Sequence, residues 1–195
     1  MTFTATAEPV IVIPEGPVTN VQLEAGSFAT SYIPNNATSG TVTRSPDLAS
    51  IPVSAFGYNQ DAGTWLAAYN TFDLAHAETK YVFSSGASAR IIYQNTGSDD
   101  VLSFDGATQT VYTLSVSYSD DPKVAAYAEN GAGSSAAFEG VLGTGNASAD
   151  ALSNHDGTFD FGSLNGGAFF LNGHIKSVQY FPRRLTDAQL QTLTS

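Results

Sequence analysis

Residues 173–185 read GHIKSVQYFPRRL, and residues 186–195 read TDAQLQTLTS. In the first of these two segments, apolar Ile175, Val178 and Tyr180 roughly alternate with polar residues. Because successive side chains of a strand point to opposite faces, this alternation predicts a strand that is buried on one face.

The residues after this strand predict a corner and a short helix. Pro182 has no backbone N–H to donate and therefore stops strand pairing. Thr186 or Asp187 can cap a helix whose apolar positions are Leu190 and Leu193. The chain is thus predicted to end with a half-buried strand, a basic corner and a helix.

Most of the chain from residue 50 onward indicates further short strands. Dipeptides such as Asp105-Gly106 and Asn172-Gly173 separate the strands, and such pairs tolerate the positive φ of tight connections. Short strands at this spacing favour a two-sheet antiparallel sandwich or jelly roll over βαβ units. The predicted strands are residues 64–69, 81–84, 89–94, 101–104, 110–118, 124–128, 159–163, 168–171 and 175–181. Residues 132–153, which are rich in Gly, Ala and Ser, are predicted to form a long surface excursion with at most one weak strand.

Composition limits the classes of partner. The 195 residues include 7 basic and 18 acidic side chains, for a net charge of −11. A field of this sign repels phosphate backbones and anionic lipids, so nucleic acid and membrane insertion are poor expectations. There is no cysteine, which excludes disulfides and thiolate metal sites. The first residues have no basic region followed by an apolar one, so we expect no signal peptide.

Residues 1–40 differ from the rest of the chain. Prolines at 9, 14 and 17 restrict this stretch to edge strands or an extended arm. We therefore predict an N-terminal arm over residues 1–40, or the remnant of a preceding β domain, followed by a sandwich domain over residues 41–195.

Two strings in the sequence resemble a known family. Residues 21–34 read VQLEAGSFATSYIP and residues 42–47 read VTRSPD, which together are similar to the linker between modules of phage tail-fibre and related virion proteins. The closing string YFPRRL at residues 180–185 resembles the end of concanavalin A-like (laminin G-like) jelly-roll modules.

This resemblance implies both an architecture and a role. The architecture is an all-β, two-sheet antiparallel jelly-roll sandwich with an extended N-terminal arm and a short C-terminal helix. The role is that of a non-catalytic module on the exposed surface or tail of a virion, binding surface polysaccharide or other virion subunits. A trimer is the oligomer that the resemblance suggests, although no heptad repeat is present. The alternative is a purely structural domain for assembly or capsid decoration.

Aromatic residues are the first candidates for sugar contacts, since flat sugar faces stack on aromatic rings. The carbohydrate-binding candidates are Trp65, Tyr69 and Tyr93, with His155 as a polar neighbour. Trp65 and Tyr69 share one face of their predicted strand with Ala67, and the alternative for both is a place in the core.

Oxygen-bearing side chains of one loop suggest a cation site. Asn154, Asp156 and Asp160 offer amide and carboxylate oxygens of the kind that Ca²⁺ prefers. The alternative is ordinary turn chemistry, since Asp156-Gly157 is a common turn dipeptide.

A polysaccharide-degrading enzyme is the third hypothesis. Glycosidases need two facing carboxyl groups, and on this fold they usually lie at positions i, i+2 and i+4 of one strand. The sequence has no such run. The pairs Asp99-Asp100 and Asp120-Asp121 are adjacent and would point to opposite faces. The sequence therefore predicts that the protein is not an enzyme.

Overall fold

The computed structural model describes residues 32–34, 47–71, 79–85, 89–94, 100–104, 109–113, 122–130, 133–145, 157–165 and 167–195, with residues 89–94, 100–104, 109–113 and 144–145 described through their backbone. The chain forms two compact units, Met1–Pro46 and Asp47–Ser195. Only residues 32–34 of the first unit are described, so the arm over residues 1–40 and its origin stay predictions.

The second unit is built almost entirely of strands. The described residues contain β1 (Ala49–Pro52), β2 (Ala62–Thr71), β3 (Lys80–Ser85), β4 (Ala89–Gln94), β5 (Asp100–Phe104), β6 (Gln109–Thr113), β7 (Lys123–Asn130), β8 (Gly133–Phe138), β9 (Val141–Leu142), β10 (Thr144–Gly145), β11 (Thr158–Phe161) and β12 (Gly173–Phe181). A 3₁₀ turn at Val53–Ala55 and one helix, α1 (Asp187–Thr194), complete the described elements. None of the described helices is both long and apolar enough to cross a bilayer.

The strands form two antiparallel sheets. Seven strands are arranged in the order β1-β11-β3-β4-β5-β6-β10, and five in the order β12-β2-β7-β8-β9. This arrangement confirms the prediction of an all-β, two-sheet antiparallel sandwich with a short C-terminal helix.

The hydrophobic core lies between the two sheets and is unusually aromatic. The Trp65 ring of β2 lies 4.4 Å from the Phe159 ring of β11 and 5.2 Å from the Phe83 ring of β3. It also lies 4.4 Å from the Tyr180 ring of β12. Trp65 thus contacts rings of both sheets, and large rings fill much of a core to which β7 contributes Ala125 and Tyr127.

The C-terminal helix begins as the sequence predicts. The Thr186 side chain accepts a hydrogen bond from the Gln189 backbone N–H, and the Gln189 side chain accepts one from the Thr186 N–H. This capping box satisfies two N–H groups that a helix start leaves unpaired. Leu185 and Leu190, 4% and 0% exposed, then pack against the five-stranded sheet.

Two sequence predictions about single elements were wrong, and one strand was missed. The Gly-, Ala- and Ser-rich stretch contains β8, which is mostly buried and pairs with β7, because small side chains suit a strand between an aromatic core and a helix. Residues 168–171 form a loop with one isolated bridge instead of a strand. The edge strand β1 was not predicted. The strand predicted over residues 110–118 is present as β6 up to Thr113, and its remainder lies outside the described residues.

Candidate functional site

The two sheets differ in what covers their outer faces. On the five-stranded sheet, alternate residues of β2, β7 and β8 point away from the core and pack under the helix corner. The residues of this cluster are Leu66, Ala126, Ala128, Ala137, Leu185 and Leu190. In the described part of the chain, this face is therefore closed by the protein itself.

The outer face of the seven-stranded sheet carries polar residues instead. In β11, Phe159 and Phe161 belong to the core, so Asp160 between them points outward. Register places Ser50 of β1 on one side of Asp160 and Ser84 of β3 on the other. These three residues form a polar row across three neighbouring strands.

The backbone register continues from Ser84 across the sheet. Ser84 pairs with Arg90 of β4, Arg90 pairs with Phe104 of β5, and Phe104 pairs with Gln109 of β6. Neighbouring strands lie roughly 4.8 Å apart. The register positions from Ser50 to Gln109 therefore span about five such spacings, or roughly 24 Å.

Asp160 is a largely buried acidic residue whose carboxylate has no partner among the described residues. The residue is 7% exposed. No hydrogen bond or ion pair joins its side chain to the described part of the chain, and burial raises the pKa of its carboxyl group. An unpaired buried acid is costly and therefore needs an explanation.

The loop between β11 and β12 lies against this polar row. We call residues 162–165 and 167–172 the β11–β12 loop. The Ser84 hydroxyl donates to the Ser163 carbonyl at 3.0 Å and accepts from the Asn165 N–H at 3.4 Å. At the far end, a Cβ on Gly173 would overlap the Asn70 carbonyl oxygen, so only glycine lets the chain pass so close to β2. The loop is thus anchored at both ends.

Phe169 is the most unusual residue of this loop. It has a φ of 51°, in the left-handed region that side chains with a Cβ rarely adopt. Its carbonyl accepts the Tyr81 N–H at 3.2 Å, and its ring centre lies 5.6 Å from that of Tyr81. The side chain is nevertheless 48% exposed. Strain that holds a half-exposed aromatic ring in place is a feature that binding sites often show.

The two aromatic sugar candidates of β2 are not at the surface. Trp65 and Tyr69 are 2% and 1% exposed. Their prediction as a sugar-stacking platform was wrong, because both point inward with Ala67 and fill the core. The alternative that the sequence left open, a place in the core, is the one that the structure supports.

The remaining predicted site residues are only partly described. Tyr93 lies in β4 at the register position opposite Tyr81. His155, Asn154 and Asp156 lie outside the described residues, so their roles in binding sugar or Ca²⁺ stay predictions. Asp160 is described, and no group of three or more His, Cys, Asp or Glu residues suited to a metal occurs within the described residues.

Sequence reasoning missed Phe169, Ser163 and Ser84 as parts of one site. The pattern assigned Phe169 to a strand, which would have given it extended backbone. Its positive φ depends on the hydrogen bonds of the loop with β3, which no local pattern encodes. Three Asn or Gly residues between 165 and 167 were the available signal for a turn.

A second buried carboxylate lies on the other sheet and faces the core. Glu129 of β7 is 3% exposed and faces the interior of the sandwich, where its Oε2 accepts a hydrogen bond from the Tyr127 hydroxyl at 2.9 Å. Glu129 and Asp160 are the buried acidic residues of the described part of the chain. Since one faces inward and the other outward, they do not face each other across one cleft.

Comparison with solved structures finds proteins that share this two-sheet β-sandwich fold. The chain is 17% identical to the CBM40 of the Ruminococcus gnavus IT-sialidase bound to α2,3-sialyllactose, with a TM-score of 0.53 over 70% of this chain and 84% of that one. It is 14% identical to a heptameric SAP-like pentraxin from Limulus polyphemus, with a TM-score of 0.50 over 72% and 74%.

A third match is part of a larger enzyme. The Trypanosoma rangeli sialidase in complex with sialic acid is 17% identical, with a TM-score of 0.52 over 69% of this chain and 23% of the sialidase. At these identities the similarities establish the fold alone. No protein-family model and no curated protein match the chain.

Proposed function

We propose that this chain is a non-catalytic carbohydrate-binding module. Its site lies on the outer face of the seven-stranded sheet, beside the β11–β12 loop. The observation that carries the proposal is Phe169, a half-exposed ring held at a φ of 51° by a loop whose other residues contact the polar row at Ser84.

The chemistry of this face suits a sugar. A pyranose presents an apolar face of C–H groups and a rim of hydroxyls, so its recognition needs an aromatic ring and hydrogen-bonding groups side by side. Phe169 offers the ring. Ser50 and Asp160, in the polar row, offer oxygens.

The spacing also fits a small oligosaccharide. Tyr81, which holds the Phe169 backbone, lies three residues along β3 from Ser84. At roughly 3.3 Å per residue this is about 10 Å, the length of about two sugar rings. The matched CBM40 was solved with sialyllactose bound, which supports a sugar-binding use of this fold.

The arrangement of acids supports binding without catalysis. Glycoside hydrolysis needs two carboxyl groups about 5–10 Å apart across one cleft. The two buried acids of the described residues do not share a cleft, because Glu129 of β7 faces the core and Asp160 of β11 faces outward. A polysaccharide-degrading enzyme is therefore the less favoured function.

Replacement of Phe169 tests the proposal. Phe169→Ala should weaken binding to a responsive oligosaccharide by roughly 10-fold or more, since loss of one stacked ring costs about 1–2 kcal/mol. Tyr32→Ala is the matched control, because Tyr32 is a 46% exposed aromatic residue of the other unit. The measurement is a glycan array followed by calorimetry. Equal affinities of the wild type and Phe169→Ala would rule out the Phe169 site, and no binding to any glycan would rule out the function.

The virion role remains part of the proposal and is supported by the linker string at residues 21–34 and the closing string at residues 180–185. In this setting the module binds host polysaccharide from an exposed virion or tail surface. The alternative, an assembly domain, predicts that residues 1–40 hold a partner subunit or a second copy. Light scattering on the full chain and on a chain without residues 1–40 separates them, since a monomer in both cases contradicts assembly through the arm.

A further inference from the structure

The polar row formed by Ser50, Asp160 and Ser84 contains one acidic residue. Asp160 is the acid of the row, is 7% exposed and makes no ion pair with the described residues. Its register neighbours in β1 and β3 are serines. Nothing among these neighbours neutralises the carboxylate.

A second unsatisfied group lies close by. The Ser163 hydroxyl is fully buried and makes no hydrogen bond to any described residue. Its own carbonyl accepts from the Ser84 hydroxyl at 3.0 Å, which places Ser163 beside the register partner of Asp160. The Ser163 hydroxyl has no exposed surface, so a ligand on this face would meet the Asp160 carboxylate and not Ser163.

Two ion-paired cations of the described residues lie elsewhere. Lys123 pairs with Glu139 on the five-stranded sheet, and Arg184 pairs with Asp187 at the helix corner. The backbone of Arg90 has the register position two strands from Asp160, roughly 10 Å away along the sheet. The pKa of the Asp160 carboxyl is raised by burial, with no cation lowering it.

We infer that Asp160 makes this site selective for uncharged sugars and excludes sugars that carry a carboxylate. This inference rests on the proposed function. Two neighbouring sugar hydroxyls donate to the Asp160 carboxylate, while Phe169 contacts an apolar sugar face. A sialic acid or a uronate would bring a second negative charge to an unpaired one, within a chain of net charge −11. The sugars in the matched CBM40 and sialidase structures are, by contrast, sialylated.

The test uses an array of matched glycan pairs, each a neutral oligosaccharide and its sialylated or uronate-containing counterpart. The wild type should bind the neutral member at least roughly tenfold more tightly. Asp160→Asn keeps the size of the side chain but removes its charge, and should reduce this ratio to below about threefold. Asp61→Asn is the control with the same charge change at an exposed turn, and should leave the ratio unchanged.

The outcomes separate the two claims. Binding that favours sialylated members, or a ratio that Asp160→Asn leaves unchanged, would overturn the inference while the sugar-binding function stands. If Arg90→Gln lost binding to sialylated glycans, the inference would also be overturned, since Arg90 would then determine the charge preference. Failure of the wild type to bind any member would overturn the function itself.

Discussion

On both sheets, side chains alternate between the core and the outer face, but the outward residues of the two sheets differ in character. On the five-stranded sheet the outward residues are small and apolar, and α1 covers them through Leu185 and Leu190. On the seven-stranded sheet the outward residues of β1, β3 and β11 are Ser50, Ser84 and Asp160. The apolar face is covered by the helix, whereas on the polar face Ser50 is exposed and Ser84 is covered by the β11–β12 loop.

This difference shows how a sandwich combines stability with a binding surface. A helix on one face extends the core beyond the space between the sheets, so the other face can keep groups that weaken the fold. The strained Phe169 and the unpaired Asp160 are such groups. Substitutions on the two faces should therefore have opposite effects on stability.

The largest effect is expected under the helix. Leu190→Ala should lower the free energy of unfolding by about 2–4 kcal/mol, because Leu190 is 0% exposed and the change leaves a cavity. Urea denaturation measures the loss. Leu193→Ala is the matched control, and at 38% exposure it should cost less than about 1 kcal/mol. Equal losses would show that α1 does not close this face.

Thr64→Val should cost about 1–3 kcal/mol by the same measurement. The buried Thr64 hydroxyl donates to the Arg183 carbonyl at 2.8 Å and accepts from the Leu185 N–H at 2.9 Å. Valine keeps the shape but leaves both backbone groups without a partner. Thr158→Val, at an exposed position of β11, is the control and should change stability by less than about 0.5 kcal/mol.

The start of the helix should show a smaller effect. Thr186→Ala removes the capping side chain and should cost about 1 kcal/mol, whereas Thr186→Ser keeps the hydroxyl and should cost much less. Thermal unfolding of the two variants separates them. A serine variant as unstable as the alanine variant would contradict the role of the cap.

The smallest effect on stability is expected at Asp160 on the polar face, where a substitution should stabilise the protein. Burial raises the pKa of the Asp160 carboxyl above its ordinary value of 3.8, so the folded protein binds this proton more tightly than the unfolded chain. The stabilising contribution is present below pH 3.8 and is lost as the pH rises through the folded pKa.

Asp160→Asn should therefore raise the Tm at pH 7, and the gain over the wild type should shrink as the pH falls toward 4. Melting curves at several pH values measure this, with Asp61→Asn as the exposed control. A Tm that falls at pH 7 would show that the carboxylate has a stabilising partner.

The sequence predicted the strands whose apolar alternation is regular. Ile175, Val178 and Tyr180 indicated β12, and Thr186 indicated the helix start, because these signals are local. The pattern failed at β8, where alanine and serine show no alternation of size. It failed also at Phe169, where the apolar residues 168–171 suggested a strand, but the loop bonds to β3 and Phe169 has a positive φ.

The sequence alone determined that this protein is a two-sheet β-sandwich with a capped helix, because periodicity, turn dipeptides and caps are properties of neighbouring residues. Only the tertiary structure decided that Trp65 and Tyr69 belong to the core and that Asp160, Ser163 and Phe169 belong to one candidate site. The physical reason is that exposure and partnership depend on strands far apart in the chain. Ser84 and Ser163, 79 residues apart, are joined by a single hydrogen bond.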